Sequence, residues 1–75
     1  MDIYANFGER LKAAREARGV SKSELERRSG ITKSLIRRYE KGEILPMLYN
    51  AILLARSIDV SLDYLVGLSD TMDLS

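Results

Sequence analysis

Four residues near the middle of the chain carry its most distinctive chemistry. Lys33, Ser34, Arg37 and Arg38 are interleaved with Ile36 and Tyr39. On a helix, Ile36 and Tyr39 lie three apart on one face and must point to a core. Lys33, Ser34, Arg37 and Arg38 then lie outward or at the flank, and three of the four are cationic. Such groups are donors only, suited to phosphate oxygens or to the acceptor edge of guanine. The same pattern also describes an ordinary polar surface helix. Other chemistry is poorly supplied. The chain has no Cys and no His, which removes the usual nucleophile and general base and leaves a metal only carboxylates. We therefore expect no enzyme, no metal and no cofactor.

A scaffold that presents those residues can be read from the punctuation of the chain. Ile3, Phe7, Leu11 and Ala14 recur at helical spacing in a first helix, which Gly19 ends. Ser21-Lys22-Ser23-Glu24 has the form of a capping box: Ser21 accepts from the Glu24 amide, and the Glu24 side chain reaches back. It starts a second helix that runs to about Ser29, followed by a short turn at Gly30. Thr32 is a good N-cap for a third helix, Lys33 to about Lys41, stopped by Gly42. Glu43-Ile44-Leu45 forms a loop, and Pro46 suits the first turn of a fourth helix. That helix reaches about Ile58, with Leu48, Ile52 and Ala55 turned inward. Ser61 caps a last helix, Leu62 to Val66, closed by Gly67. No segment alternates with period two for long. The fold class is all-α, a compact five-helix bundle. Residues 1–68 form the domain and 69–75 a short tail that is expected to fray.

Composition sets the outer limits. At 75 residues, 45% hydrophobic and 31% charged, the chain has the make-up of one small globular domain. No apolar run approaches the ~20 residues that span a bilayer, and the N-terminus lacks a signal-peptide profile. A cytoplasmic protein without a membrane partner is expected. The net charge of +1 hides an asymmetry. Residues 1–41 hold 11 Lys/Arg against 6 Asp/Glu, a net of +5, whereas residues 42–75 hold one against 5, a net of −4. One end of such a molecule attracts a polyanion, although charge runs are also simply solvated helix faces.

The second helix, the Gly30 turn and the third helix have the proportions of a helix-turn-helix. From Phe7 to Gly67 the sequence resembles the lambda-repressor-like helix-turn-helix family, the phage repressor and Cro group. The resemblance rests on Arg10-Leu11-Lys12, Arg15-Glu16 and Gly19-Val20-Ser21-Lys22-Ser23-Glu24-Leu25. It continues through Ser29-Gly30-Ile31-Thr32-Lys33-Ser34-Leu35-Ile36, Arg38-Tyr39-Glu40-Lys41-Gly42 and Pro46, and closes on Val60-Ser61-Leu62-Asp63-Tyr64-Leu65-Val66-Gly67. The pieces fall in order and without gaps.

The resemblance implies a DNA-binding transcriptional regulator, most simply a repressor. It implies base contacts from Lys33, Ser34 and Arg38, with Arg37 beside them. Lys22 stands where the family usually has glutamine, and it is expected on a phosphate together with Thr32 and Lys41. Arg15 and Glu40 match a structural ion pair that ties the first helix to the end of the third. Two positions depart from the family pattern. Glu26 replaces the usual Ala or Gly at the helix crossing, and Glu43-Ile44-Leu45 replaces a loop that is often basic. Leu45, Tyr49 and Leu53 are expected on an apolar patch where two copies associate. A homodimer would set two recognition helices about 34 Å apart on double-stranded DNA and require a near-palindromic operator. The alternative is a protein-interaction module of the same fold with weak or lost DNA binding. Neither reading calls for a small-molecule ligand.

Overall fold

Short polar side chains open most of the helices by holding amides that the helix itself leaves free. The computed structural model describes residues 2–73. It contains α1 (Ile3–Ala17), α2 (Lys22–Ser29), α3 (Lys33–Glu40), α4 (Leu48–Ser57) and α5 (Leu62–Leu65), with no strand among the described residues. Asp2 accepts from the Ala5 amide at 3.2 Å, Ser21 from Glu24 at 3.0 Å, Thr32 from Leu35 at 3.3 Å and Ser61 from Tyr64 at 3.0 Å. Each such cap is worth about 1 kcal/mol. α4 begins on Met47 without a side-chain cap. Pro46 therefore precedes the helix rather than opening its first turn. The Ser21 box is only half formed. The Glu24 carboxylate turns to Arg27 and Arg28 on its own helix instead of reaching back.

α1 packs on α3 and α5, α2 on α3 and α4, and α4 on α5. Their shared core includes Phe7, Leu11, Leu25, Ile36, Leu54 and Leu65, all essentially out of water. Burying each such side chain contributes about 1.5–3 kcal/mol. At one crossing the backbones nearly touch. A Cβ on Gly8 would lie 2.5 Å from the Tyr39 carbonyl oxygen and 2.7 Å from that of Glu40, so only glycine lets α1 and the end of α3 pack this closely. Glu26, at the position the family usually fills with Ala or Gly, is half-buried.

One of the expected stripes is rotated and another is shortened. In α4 the buried residues are Ala51, Leu54 and Ala55, followed by Ile58, whereas Leu48 is 67% exposed and Ile52 also faces solvent. Both sets recur at helical spacing, so periodicity alone cannot choose between them. Packing favours the set with two alanines, whose small side chains let α4 lie close to its neighbours. In α1 Phe7, Leu11 and Ala14 are buried as expected, and only Ile3, at the first turn, stands out in solvent.

The tail does not fray over its described part. Arg10 donates to the carbonyl oxygen of Ser69 at 2.7 Å and to Asp70 at 2.9 Å, while stacking 4.6 Å from the Tyr64 ring centre. The Ser61 amide donates to the Met72 carbonyl at 2.7 Å, and Met72 packs against the core. Leu74 and Ser75, the end of the expected tail, lie outside the described residues.

Candidate nucleic-acid interface

α3 shows how one short helix can be anchored on one side and open on the other. Ile36 and Tyr39 are buried. Tyr39 meets Phe7 edge-on, with ring centres 6.3 Å apart, and its hydroxyl accepts from Asn50 Nδ2 of α4 at 3.1 Å. The helix is thus held from α1 and from α4 at once. On its other side Lys33, Ser34, Arg37 and Arg38 are all exposed. The row of donors expected from the sequence is therefore a continuous solvent-facing surface.

The turn into α3, expected at Gly30, is also held by Ser29, whose role the sequence analysis missed. Ser29 is buried, and its Oγ donates to the Leu25 carbonyl at 2.7 Å while accepting from the Ile31 amide at 3.1 Å. Gly30, at φ +79°, takes the left-handed conformation between them. A Ser-Gly pair before a capping Thr was the available signal. Thr32 itself is exposed at the start of α3, where the first amides of the helix have no internal partner and favour an anion.

Electrostatics divide the basic residues into committed and open ones. Arg15 forms a bidentate pair with Glu40, Nε to Oε2 at 2.7 Å and Nη2 to Oε1 at 3.1 Å, and its Nη1 donates to the Val20 carbonyl at 2.9 Å. The hydrogen bond to Glu40 raises the Arg15 pKa above its ordinary value, against the opposing effect of burial. Arg27 and Arg28 both engage Glu24, and these hydrogen bonds hold its carboxyl below the usual range. Arg28 also reaches the Ser57 carbonyl at 3.2 Å. Arg18 donates to the carbonyl oxygens of Ile58 and Asp59. Arg38 is paired with Glu43 at 3.3 Å. Lys33, Arg37 and Lys41 are exposed and make no ion pair among the described residues. Lys22 is half-buried at the first position of α2.

The three residues expected on the apolar patch separate. Tyr49 is 72% exposed, whereas Leu45 and Leu53 are half-buried and pack against the core. The rotation of α4 explains the change, because it turns Leu53 inward and Leu48 and Ile52 outward. The exposed apolar surface accordingly runs through Met47, Leu48, Tyr49 and Ile52. It borders a groove of about 280 Å³ lined by Ile3, Phe7, Leu45, Pro46, Leu48, Ala51, Leu62 and Val66. No helix among the described residues is long and apolar enough to cross a membrane.

Comparison with known proteins agrees with this geometry. A helix-turn-helix family model matches residues 11–65. The chain is 38% identical over 67 residues to an uncharacterized HTH-type transcriptional regulator of Bacillus subtilis (strain 168), YobD, covering 89% of this chain and 60% of that protein. It is 41% identical over 54 residues to a second such regulator, y4dL of Sinorhizobium fredii (strain NBRC 101917 / NGR234), covering 72% of this chain and 28% of that one. The chain thus spans from under one third to about three fifths of the length of these relatives. Its fold matches the restriction-modification controller protein C.AhdI from Aeromonas hydrophila, with a TM-score of 0.79 and 32% identity, over 83% of this chain and 94% of that one. A family model spanning most of the chain, over a bundle whose α2 and α3 meet across the Gly30 turn, places this protein in the lambda-repressor-like helix-turn-helix family.

Proposed function

We propose that the chain is a sequence-specific double-stranded-DNA-binding regulator of transcription that enters the major groove with α3. The observation that carries this reading is the solvent-facing set of Lys33, Ser34, Arg37 and Arg38 on a helix fixed from behind by Ile36 and Tyr39. Lys33 and Arg37 serve on base edges, Arg38 on a base or a phosphate, and Ser34 is small enough for close approach. Lys22, Thr32 and Lys41 hold phosphates and set the register. Repression is the simplest outcome, because a domain seated on a promoter blocks polymerase. The protein works in the cytoplasm, without a cofactor. Binding to a duplex tests the core of this reading. The logarithm of affinity should fall linearly with the logarithm of salt concentration, with a slope of about −0.9 for each phosphate neutralised. An affinity that hardly responds to salt would remove it.

The exposed Met47, Leu48, Tyr49 and Ile52 favour association of two copies. A homodimer through this face of α4 would present two copies of α3 to a near-palindromic operator, about 34 Å apart. Selection of bound sequences from a random duplex library would return inverted half-sites at that spacing. Sedimentation should show a dimer that Tyr49→Glu converts to a folded monomer. A wild-type monomer at high micromolar concentration would sink the dimer. The same surface also supports a second reading, a module that binds another protein and has lost DNA affinity. The weak salt response of an apolar interface distinguishes it.

A further inference from the structure

Glu43 lies beyond the end of α3 yet is bound back to it. The Gly42 amide donates to the Tyr39 carbonyl and the Glu43 amide to the Arg38 carbonyl, both at 3.0 Å, with Gly42 at φ +74°. This is a Schellman arrangement, which brings the residues at the two ends of its outer bond side by side. An apolar contact frequently joins those two residues. Here the contact is an ion pair instead: Arg38 Nε donates to Glu43 Oε1 at 3.3 Å. Both side chains are about half exposed, 55% and 49%, and Arg38 lies on the open face of α3.

The carboxylate occupies only the Nε donor. Nη1 and Nη2 of Arg38 have no partner among the described residues, and these two groups form an edge that matches guanine O6 and N7. An unrestrained arginine side chain carries about 2 kcal/mol of rotamer entropy and can serve any phosphate within reach. An arginine held at Nε has lost part of that freedom before DNA arrives. The negative charge beside it also disfavours phosphate oxygens, whatever the base sequence.

We propose that Glu43 is a positioning residue for sequence reading, one that reserves the outer edge of Arg38 for a single guanine at the expense of general DNA affinity. The proposal rests on the DNA-binding reading above. It assigns a purpose to the acidic residue in a loop, Glu43-Ile44-Leu45, that carries no basic side chain.

The test compares two duplexes, the one that the wild-type protein selects from a random library and a scrambled duplex of equal length and composition. Glu43→Ala should lower the ratio of the two affinities about tenfold, within the range set by a bidentate base contact. It should leave scrambled-duplex affinity unchanged or raised. Glu43→Gln keeps an acceptor for Nε without the charge, and it should restore part of the ratio. Unchanged melting curves for both variants would show that the effect is not a loss of fold. If Glu43→Ala raises both affinities equally, Glu43 only competes with DNA and the proposal fails. An unchanged ratio also overturns it. If the wild-type protein binds duplex DNA without preference, or not at all, the sequence-specific reading itself fails and takes this proposal with it.

Discussion

Arg15 and Glu40 face each other across the α1–α3 contact with two hydrogen bonds between them, and their side chains are only 8% and 5% exposed. The third bond, from Arg15 to the Val20 carbonyl, extends the same grip to the residue where the chain enters the turn before α2. One guanidinium therefore fixes the end of α3 and the approach to α2. Removing water from both charges is costly, and the pair is maintained only because its geometry satisfies both groups.

Arg15→Ala strands the Glu40 carboxylate in a dry site. The expected loss is about 3–5 kcal/mol, enough to lower Tm by more than about 10 °C in a domain of this size. The double variant Arg15→Met, Glu40→Leu should recover much of that loss, since no unpaired charge remains. Thermal denaturation of the two variants checks this. A wild-type Tm in Arg15→Ala would disprove a structural role for the pair.

Gly8→Ala should destabilise, although alanine is the better helix former by up to about 1 kcal/mol. Its methyl group would meet two backbone carbonyl oxygens of α3, and backbone cannot swing aside as a flexible side chain can. Overpacking of this kind costs about 1–3 kcal/mol. Urea unfolding would read the difference as a lower midpoint, and a raised midpoint would mean that α1 and α3 can separate freely.

Lys33→Ala and Arg37→Ala should separate binding from folding. Both residues are exposed and carry no ion pair among the described residues, so stability should stay within about 0.5 kcal/mol of wild type. Where the residue reads a base, affinity for a selected duplex should fall by about 1–3 kcal/mol, with relaxed preference at one position. An equal fall on every sequence, with a shallower salt slope, would move the residue from base reading to phosphate binding.

Glu24 gives the surface of α2 an acid-sensitive contribution. Its hydrogen bonds to Arg27 and Arg28 lower its folded-state pKa below the ordinary 4.5. A depressed carboxylate stabilises the fold above its unfolded-state pKa and loses that contribution as pH falls through the folded value. Wild-type protein should therefore be more stable than Glu24→Gln at neutral pH, by a modest amount for so exposed a cluster. The gap should narrow as pH falls below 4.5 and close once it has passed through the folded value. Melting curves at neutral pH and through an acid series measure it, and a gap that does not change with falling pH would show that charge is not its source.

Much of this molecule was open to inspection in one dimension because helix ends are local events. Ser21, Thr32 and Ser61 each stand where a cap is needed, and a cap depends on the next three residues alone. Asp2 does the same for α1, although nothing singled it out in the sequence. The open face of α3 was legible for a similar reason, since Ile36 and Tyr39 at helical spacing leave Lys33, Ser34, Arg37 and Arg38 on the opposite side. Sequence by itself therefore determined the helices, their order and the cationic row. Tertiary structure alone decided which face of α4 is buried, since Leu48-Ile52-Ala55 and Ala51-Leu54-Ala55-Ile58 are equally periodic and only close packing distinguishes them. It likewise decided that Gly8 must be glycine, that Arg10 ties down the tail and that Glu43 reaches Arg38. Each of those facts depends on how one part of the chain meets another in space, and no local pattern encodes that distance.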